Sequence, residues 1–216
     1  MNRLPDPRKA GQVRYSQSHL LWLGILLFMT HAGSRRQLRH DRLSERFEQN
    51  LTKLSGQADA DAIADPDTLA YYAERCSLEK MERLMAGLVA RLIRMKALDP
   101  FRLYGFFTIA IDGSQVCTFE SEPWPGCPHR TRADGSTQYF AYVLDAKLVT
   151  STGMVMTVAS EILTNEGHRG FDKQDCELKA FPRLIEKIYS FFPRTPLCLL
   201  LDGLYANQNI IRLIQA

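Results

Sequence analysis

The stretch that most limits the folds open to this chain is Phe106-Phe107-Thr108-Ile109-Ala110-Ile111-Asp112-Gly113-Ser114. A continuous run of apolar and β-branched residues this long predicts a strand buried on both faces, as in a parallel sheet. The run closes on a carboxylate and a Gly-Ser pair that reads as a turn. The pattern returns near the end of the chain in Leu197-Cys198-Leu199-Leu200-Leu201-Asp202-Gly203. Loops just past the carboxyl ends of such strands are where α/β sheets place their chemistry. Side by side, the two strands would set Asp112 and Asp202 together at one edge of one sheet, as half of a metal-ion site.

Length and charge narrow the remaining classes. A chain of 216 residues, 45% hydrophobic and 24% charged, holds one large globular domain or two small ones. The net charge of +3 is modest, but up to Asn50 nine basic residues face four acidic ones. This asymmetry permits contact with phosphates without requiring it. Five scattered cysteines form no disulfide framework, which points to a reducing, cytoplasmic setting. The apolar run Leu20 to Met29 is shorter than the about 20 residues that span a bilayer. It also starts too far into the chain to serve as a signal peptide. A buried core helix and no membrane partner are expected.

Residues 1–100 read as an all-helical domain. A helix from about Ser16 to Thr30 is apolar nearly all round, so other helices should surround it. Ser34 and Gln37 have capping-box spacing, and the helix they open carries Arg35, Arg36, Arg39, Arg42 and Arg46. This basic face reads as a DNA-backbone contact, with arginines neutralising phosphates and releasing counterions. It reads equally as a solvated face, partly paired by Asp41, Glu45 and Glu48. Asp65-Pro66 predicts an N-cap followed by proline at the first helical position. From about Ser77 a further helix carries Leu78, Met81, Met85, Leu88, Leu92 and Met95, a stripe expected to pack inward.

Residues 101–216 change character. After the strand ending at Asp112, strands are expected over about Tyr139–Val149 and Met154–Leu163. A helix with Leu178, Phe181, Ile185 and Ile188 inward follows. Pro182 is awkward there, since proline in a helix interior costs about 3 kcal/mol. The strand ending at Asp202 comes next, then a helix that Asn207 is placed to cap. An antiparallel meander, a crossover helix and a strand returning parallel beside the first is the opening of an RNase H-like fold. The expected class is therefore α/β, with an incomplete RNase H-like mixed sheet preceded by the helical domain. Cys117, Cys127 and His129 fall short of a closed zinc site.

This half resembles the bacterial insertion-sequence transposases of the DDE class. The resemblance is carried by Ile111-Asp112-Gly113-Ser114, Tyr142-Val143-Leu144-Asp145-Ala146-Lys147-Leu148-Val149, Lys173-Gln174-Asp175-Cys176-Glu177-Leu178-Lys179-Ala180-Phe181 and Leu201-Asp202-Gly203-Leu204-Tyr205-Ala206-Asn207. The N-terminal part, with Asp6-Pro7-Arg8 and the apolar helix, also looks like the front end of such enzymes. The resemblance implies metal-dependent DNA strand cleavage and transfer in the transposition of an insertion sequence. Asp112 and Asp202 would then be the first two catalytic acids, holding Mg²⁺ or Mn²⁺. The implied partners are transposon-end and target DNA, with a homo-oligomer as an option. A third acid belongs on a later helix, and no residue here matches it, because Glu161, Glu166, Asp175 and Glu177 all precede Asp202. Asp175 and Glu177 are expected to be structural, as caps of the crossover helix. The expectation is a C-terminally truncated transposase fragment, incomplete for catalysis. The alternative is a DNA-binding regulator or inhibitor of transposition without enzymatic activity.

Overall fold

The computed structural model describes residues 4–9, 11, 13–30, 34–37, 44–57, 63–165 and 175–215, apart from the side chains of Phe28 and Gln215. The chain divides into two compact units, Met1–Met81 and Glu82–Ala216. Among the described residues, no helix is long and apolar enough to cross a membrane.

In the first unit, α1 (Gln17–Met29), α2 (Glu45–Ser55) and α3 (Pro66–Arg75) enclose a small core of Leu20, Leu23, Leu51, Ile63, Leu69 and Tyr72. Local chemistry sets the helix ends. Ser44 accepts from the Phe47 amide, and Asp65 accepts from the Asp67 amide with Pro66 behind it. Gly56 closes α2 at φ +70°, a left-handed conformation that glycine adopts without a Cβ clash. Residues 35–37 are helical, and Ser34 Oγ accepts from the Gln37 amide as its capping spacing predicts. Arg35 and Arg36 are exposed on this turn, Arg39 and Arg42 lie outside the described residues, and Arg46, expected on the same helix, belongs instead to α2, which starts anew after the extended Ser44.

The second unit is a mixed α/β fold. Its strands are β1 (Phe107–Phe119), β2 (His129–Thr131), β3 (Thr137–Val149), β4 (Val155–Ile162) and β5 (Leu197–Leu200). Strand β1 is central, antiparallel to β3 on one side and parallel to β5 on the other. Both β2 and β4 pair antiparallel with the far side of β3. Helix α5 (Glu177–Phe191) makes the crossover from β4 to β5, and α6 (Gln208–Gln215) follows. Burial of Phe107, Thr108 and Ile109 in succession accords with a strand covered on both faces. The core gathers Phe107, Ile109 and Ile111 of β1, Leu144, Ala146 and Leu148 of β3, and Ala180, Phe181, Leu184, Ile185 and Ile188 of α5. Each fully buried large side chain contributes about 1.5–3 kcal/mol of transfer free energy.

Several expectations need correction. Strand β1 does not turn at Gly113-Ser114. It runs on to Phe119, because Asp112, Gly113 and Ser114 pair with Asp145, Leu144 and Val143 of an equally long β3. A ladder of hydrogen bonds outweighs the turn preference of two small residues. Pro182 neither delays nor ends α5; it sits inside the helix. Buried Phe181 on one side of it and Leu184 and Ile185 on the other provide apolar packing to offset the missing backbone bond.

The helix after Ser77, α4 (Leu78–Arg94), also turns a different face inward. Of the expected stripe, Leu92 does pack against the core, but Leu78 is 69%, Met85 45%, Leu88 49% and Met95 64% exposed, while Ala86 and Val89 are buried. Glu82 explains the rotation. Its carboxylate accepts from the Ser160 amide of β4 at 2.6 Å and pairs with Lys187 of α5 at 3.4 Å. Residues 86, 89 and 93 lie on the helix face that Glu82 anchors. This face packs within the second unit, and the boundary between the two compact units lies within α4.

A buried charge cluster holds the start of α5. The Asp175 side chain is wholly buried and receives the Arg183 guanidinium at 2.6 Å and the Thr164 amide at 3.1 Å. Arg183 also reaches Glu161 at 2.5 Å. Removing one partner of such a pair strands the other charge. Arg183→Met is therefore expected to destabilise the protein by about 3 kcal/mol or more. Leu184→Ala, a simple cavity, should cost about 2–5 kcal/mol. Urea denaturation followed by circular dichroism checks both.

Candidate active site

Asp112 and Asp202 come together through the parallel pairing of β1 with β5. The register runs from Phe107↔Leu197 to Ala110↔Leu200, where β5 ends. Asp112 and Asp202 each lie two residues beyond the last pair of that ladder. Asp112 remains within β1, so one carboxylate projects from a paired strand and the other opens a turn. The turn is a 3₁₀ helix, Gly203–Tyr205, and Asp202 Oδ1 caps it by accepting from the Leu204 amide at 2.8 Å. Asp112 Oδ1 accepts from the Gly113 amide at 2.9 Å. Both aspartates are exposed. Among the described residues, neither forms an ion pair, and the Oδ2 of each accepts no hydrogen bond.

Glu177, at the first position of α5, joins this neighbourhood. Its Oε1 accepts from the Tyr142 hydroxyl at 2.6 Å and its Oε2 from the Tyr205 hydroxyl at 2.8 Å. A hydrogen bond to a charged group contributes about 1.5–3 kcal/mol, so the two fix the carboxylate firmly. Gly113 makes the approach possible, since a Cβ there would run into the Glu177 carboxyl and come within 2.6 Å of the Tyr142 ring. The expectation that Glu177 caps the crossover helix is thus corrected: its oxygens face two tyrosines. Asp175 does accept from the following Cys176 amide, and is otherwise part of the Arg183 cluster.

The tyrosines register the negative charge around them. The Tyr142 phenol is pushed up to about 12, first by its bond to Glu177, then by burial and the charges of Glu177, Asp112 and Asp202. Tyr205 is also pushed up, first by burial, then by Glu177 and the charges of Asp202 and Asp112. All three carboxylates therefore lie within electrostatic reach of both rings. Asp145, directly across the ladder from Asp112, differs from it. Asp145 accepts from Ser160 Oγ at 2.7 Å and pairs with Lys147 at 3.3 Å, so its charge is already compensated.

Two exposed carboxylates with unengaged oxygens suit a hard divalent cation such as Mg²⁺ or Mn²⁺. Among the described residues, no group of three or more His, Cys, Asp or Glu side chains is placed to hold a metal ion. Among the described residues, the zinc candidates Cys117, Cys127 and His129 do not form such a group. Cys117 and His129 are exposed on β1 and β2, and the buried Cys127 thiol reaches the Pro128 and Phe140 carbonyls. Asn207 caps α6, accepting from the Ile210 amide at 3.1 Å.

Tyr142, Tyr205, Glu177 and Gly113 are not among the site residues that the sequence suggests. All four occur in the stretches that carry the family resemblance, but their spacing gives no reason to bring them together.

The raised Tyr142 pKa has a sign that can be checked. Between the ordinary tyrosine value of 10.0 and about 12, the unfolded state loses this proton before the folded state does. Tyr142 therefore adds stability below pH 10 that is lost as pH rises toward 12. Tyr142→Phe should remove that part of the slope when denaturation midpoints are measured across this range. No protein-family model, curated protein or solved structure matches this chain.

Proposed function

We propose that the second unit is part of an RNase H-like, DDE-type domain for DNA strand cleavage and transfer, with Asp112 and Asp202 holding Mg²⁺ or Mn²⁺. The observation that carries the reading is the convergence of the two aspartates where the parallel pairing of β1 and β5 runs out. Each is oriented by one backbone amide and keeps its other oxygen for a ligand. The order of antiparallel β1, β3 and β4, crossover α5 and parallel β5 supports the fold assignment. When bound, the ions would activate an attacking oxygen and stabilise the leaving one in an in-line displacement at phosphorus.

The chain's own residues orient and isolate the site. Backbone amides fix one oxygen of each aspartate, and the tyrosine bonds of Glu177 keep that carboxylate from being a free competitor for the cation. The residues present supply two of the three acids that the family resemblance implies. The proposed role is that of a transposase catalytic region acting on transposon-end and target DNA. Exposed Arg35 and Arg36 on the first unit support a share in phosphate binding.

Two measurements test the reading. Mn²⁺ titration should show binding that Asp112→Asn and Asp202→Asn each weaken at least about tenfold; equal binding by both variants and the wild type would overturn the metal site. In mobility-shift assays at several salt concentrations, Arg35→Ala/Arg36→Ala should make log K fall less steeply with log salt, by about 1 for each phosphate that is no longer neutralised. DNA retention by a chain that neither binds Mn²⁺ nor nicks DNA would favour the regulator of transposition instead.

A further inference from the structure

Beyond Ala110 and Leu200, no bond of the β1–β5 ladder holds the segment that carries Asp202. Asp202 opens the Gly203–Tyr205 turn, and the far end of that turn is the buried Tyr205. The Tyr205 hydroxyl reaches Glu177 Oε2 at 2.8 Å. The other oxygen of that carboxylate receives the Tyr142 hydroxyl at 2.6 Å. Tyr142 belongs to β3, whose antiparallel ladder fixes β1 on both sides of Asp112. One carboxylate therefore spans from the turn of Asp202 to the ladder that holds Asp112. It does so over Gly113, where a Cβ would displace it.

We propose that Glu177 is a positioning residue for the Asp112–Asp202 pair: by bridging Tyr205 and Tyr142 it sets where Asp202 stands relative to Asp112, and hence the affinity of the pair for a divalent cation. The inference rests on the reading of those aspartates as cation ligands. It makes a different demand from two simpler roles. A carboxylate acting on the α5 dipole needs only to be negative and near the helix start. A carboxylate that merely adds negative potential to the site needs only its charge. Positioning needs both tyrosine hydroxyls. Groups that orient a metal ligand from outside the ligand set typically contribute about 10–100-fold in affinity.

The variants separate these roles. Glu177→Gln removes the charge, and its amide offers an acceptor oxygen on one side only. Tyr142→Phe/Tyr205→Phe keeps the charge and removes both tethers. Glu186→Gln, an exposed position on α5, serves as control. The experiment measures Mn²⁺ affinity of the full chain from the free-ion electron paramagnetic resonance signal, with the metal-free Tm of each sample recorded by circular dichroism. Glu177→Gln and the double tyrosine variant are each expected to weaken Mn²⁺ binding by about tenfold or more, including in samples that remain fully folded at the assay temperature. Glu186→Gln should bind as the wild type does.

If the double tyrosine variant binds Mn²⁺ like the wild type while Asp112→Asn and Asp202→Asn do not, the positioning role is overturned and the aspartate pair stands. If the wild type takes up no Mn²⁺, or both aspartate variants keep its affinity, the pair itself fails and the inference falls with it. Should Glu177→Gln not fold, the double tyrosine variant decides alone.

Discussion

The second unit depends on the position of β1 between β3 and β5. An antiparallel neighbour on one side can be reached through local hairpins, whereas a parallel neighbour requires a crossover. Helix α5 supplies that crossover, and its apolar face then covers the sheet it has just spanned. The four residue pairs of β1 and β5 are short for a sheet centre, yet they decide which strand ends meet. Everything distinctive about the candidate site follows from where those pairs stop. Asp112 lies two residues past the last pair on one strand, and Asp202 two residues past it on the other.

Polar bonds surround this apolar arrangement and fix its rotation. Glu82 and Lys187 satisfy the amide and carbonyl of Ser160 on β4, at 2.6 and 2.5 Å, where that strand has no strand partner on its outer side among the described residues. Buried or half-buried backbone groups seek partners, so the edge selects which face of α4 and α5 it receives. The Asp175–Arg183–Glu161 cluster does the same for the start of α5. With α5 fixed in position and rotation, Glu177 at its first residue reaches the site. The carboxylate bridge between Tyr142 and Tyr205 is thus the last consequence of a chain of packing choices that begins at the sheet edge.

The carboxylates at and around this site differ in their pairing. Asp145, Glu161, Asp175 and Glu82 each have a cationic partner. Asp112, Asp202 and Glu177 have none among the described residues, and both neighbouring phenols are correspondingly harder to ionise. Uncompensated carboxylates that converge on one place disfavour one another and favour a cation from solution. This contrast between paired and unpaired carboxylates within one small fold is the electrostatic basis of the proposed metal site.

Much of the architecture was legible in local sequence. The run from Phe106 to Ile111 specifies a buried strand because every residue is apolar or β-branched. Ser34, Asp65-Pro66 and Asn207 specify helix starts because a capping side chain acts on amides two or three residues away. Strand order was legible too, since a long crossover between apolar runs leaves few topologies. What local pattern does not contain is the choice among faces and partners. The Leu78-to-Met95 stripe has helical spacing, yet the anchor at Glu82 turns Ala86 and Val89 inward instead. Gly113-Ser114 has turn chemistry, yet the long β3 keeps it extended. Glu177 precedes Asp202 in the chain and is still brought to the turn that Asp202 opens, because the crossover helix it starts packs back against the sheet. Sequence by itself determined the elements and the two aspartates at matching strand positions. Only the tertiary structure decided which carboxylates meet, since hydrogen bonds from Tyr142 and Tyr205 exist only after the crossover has closed.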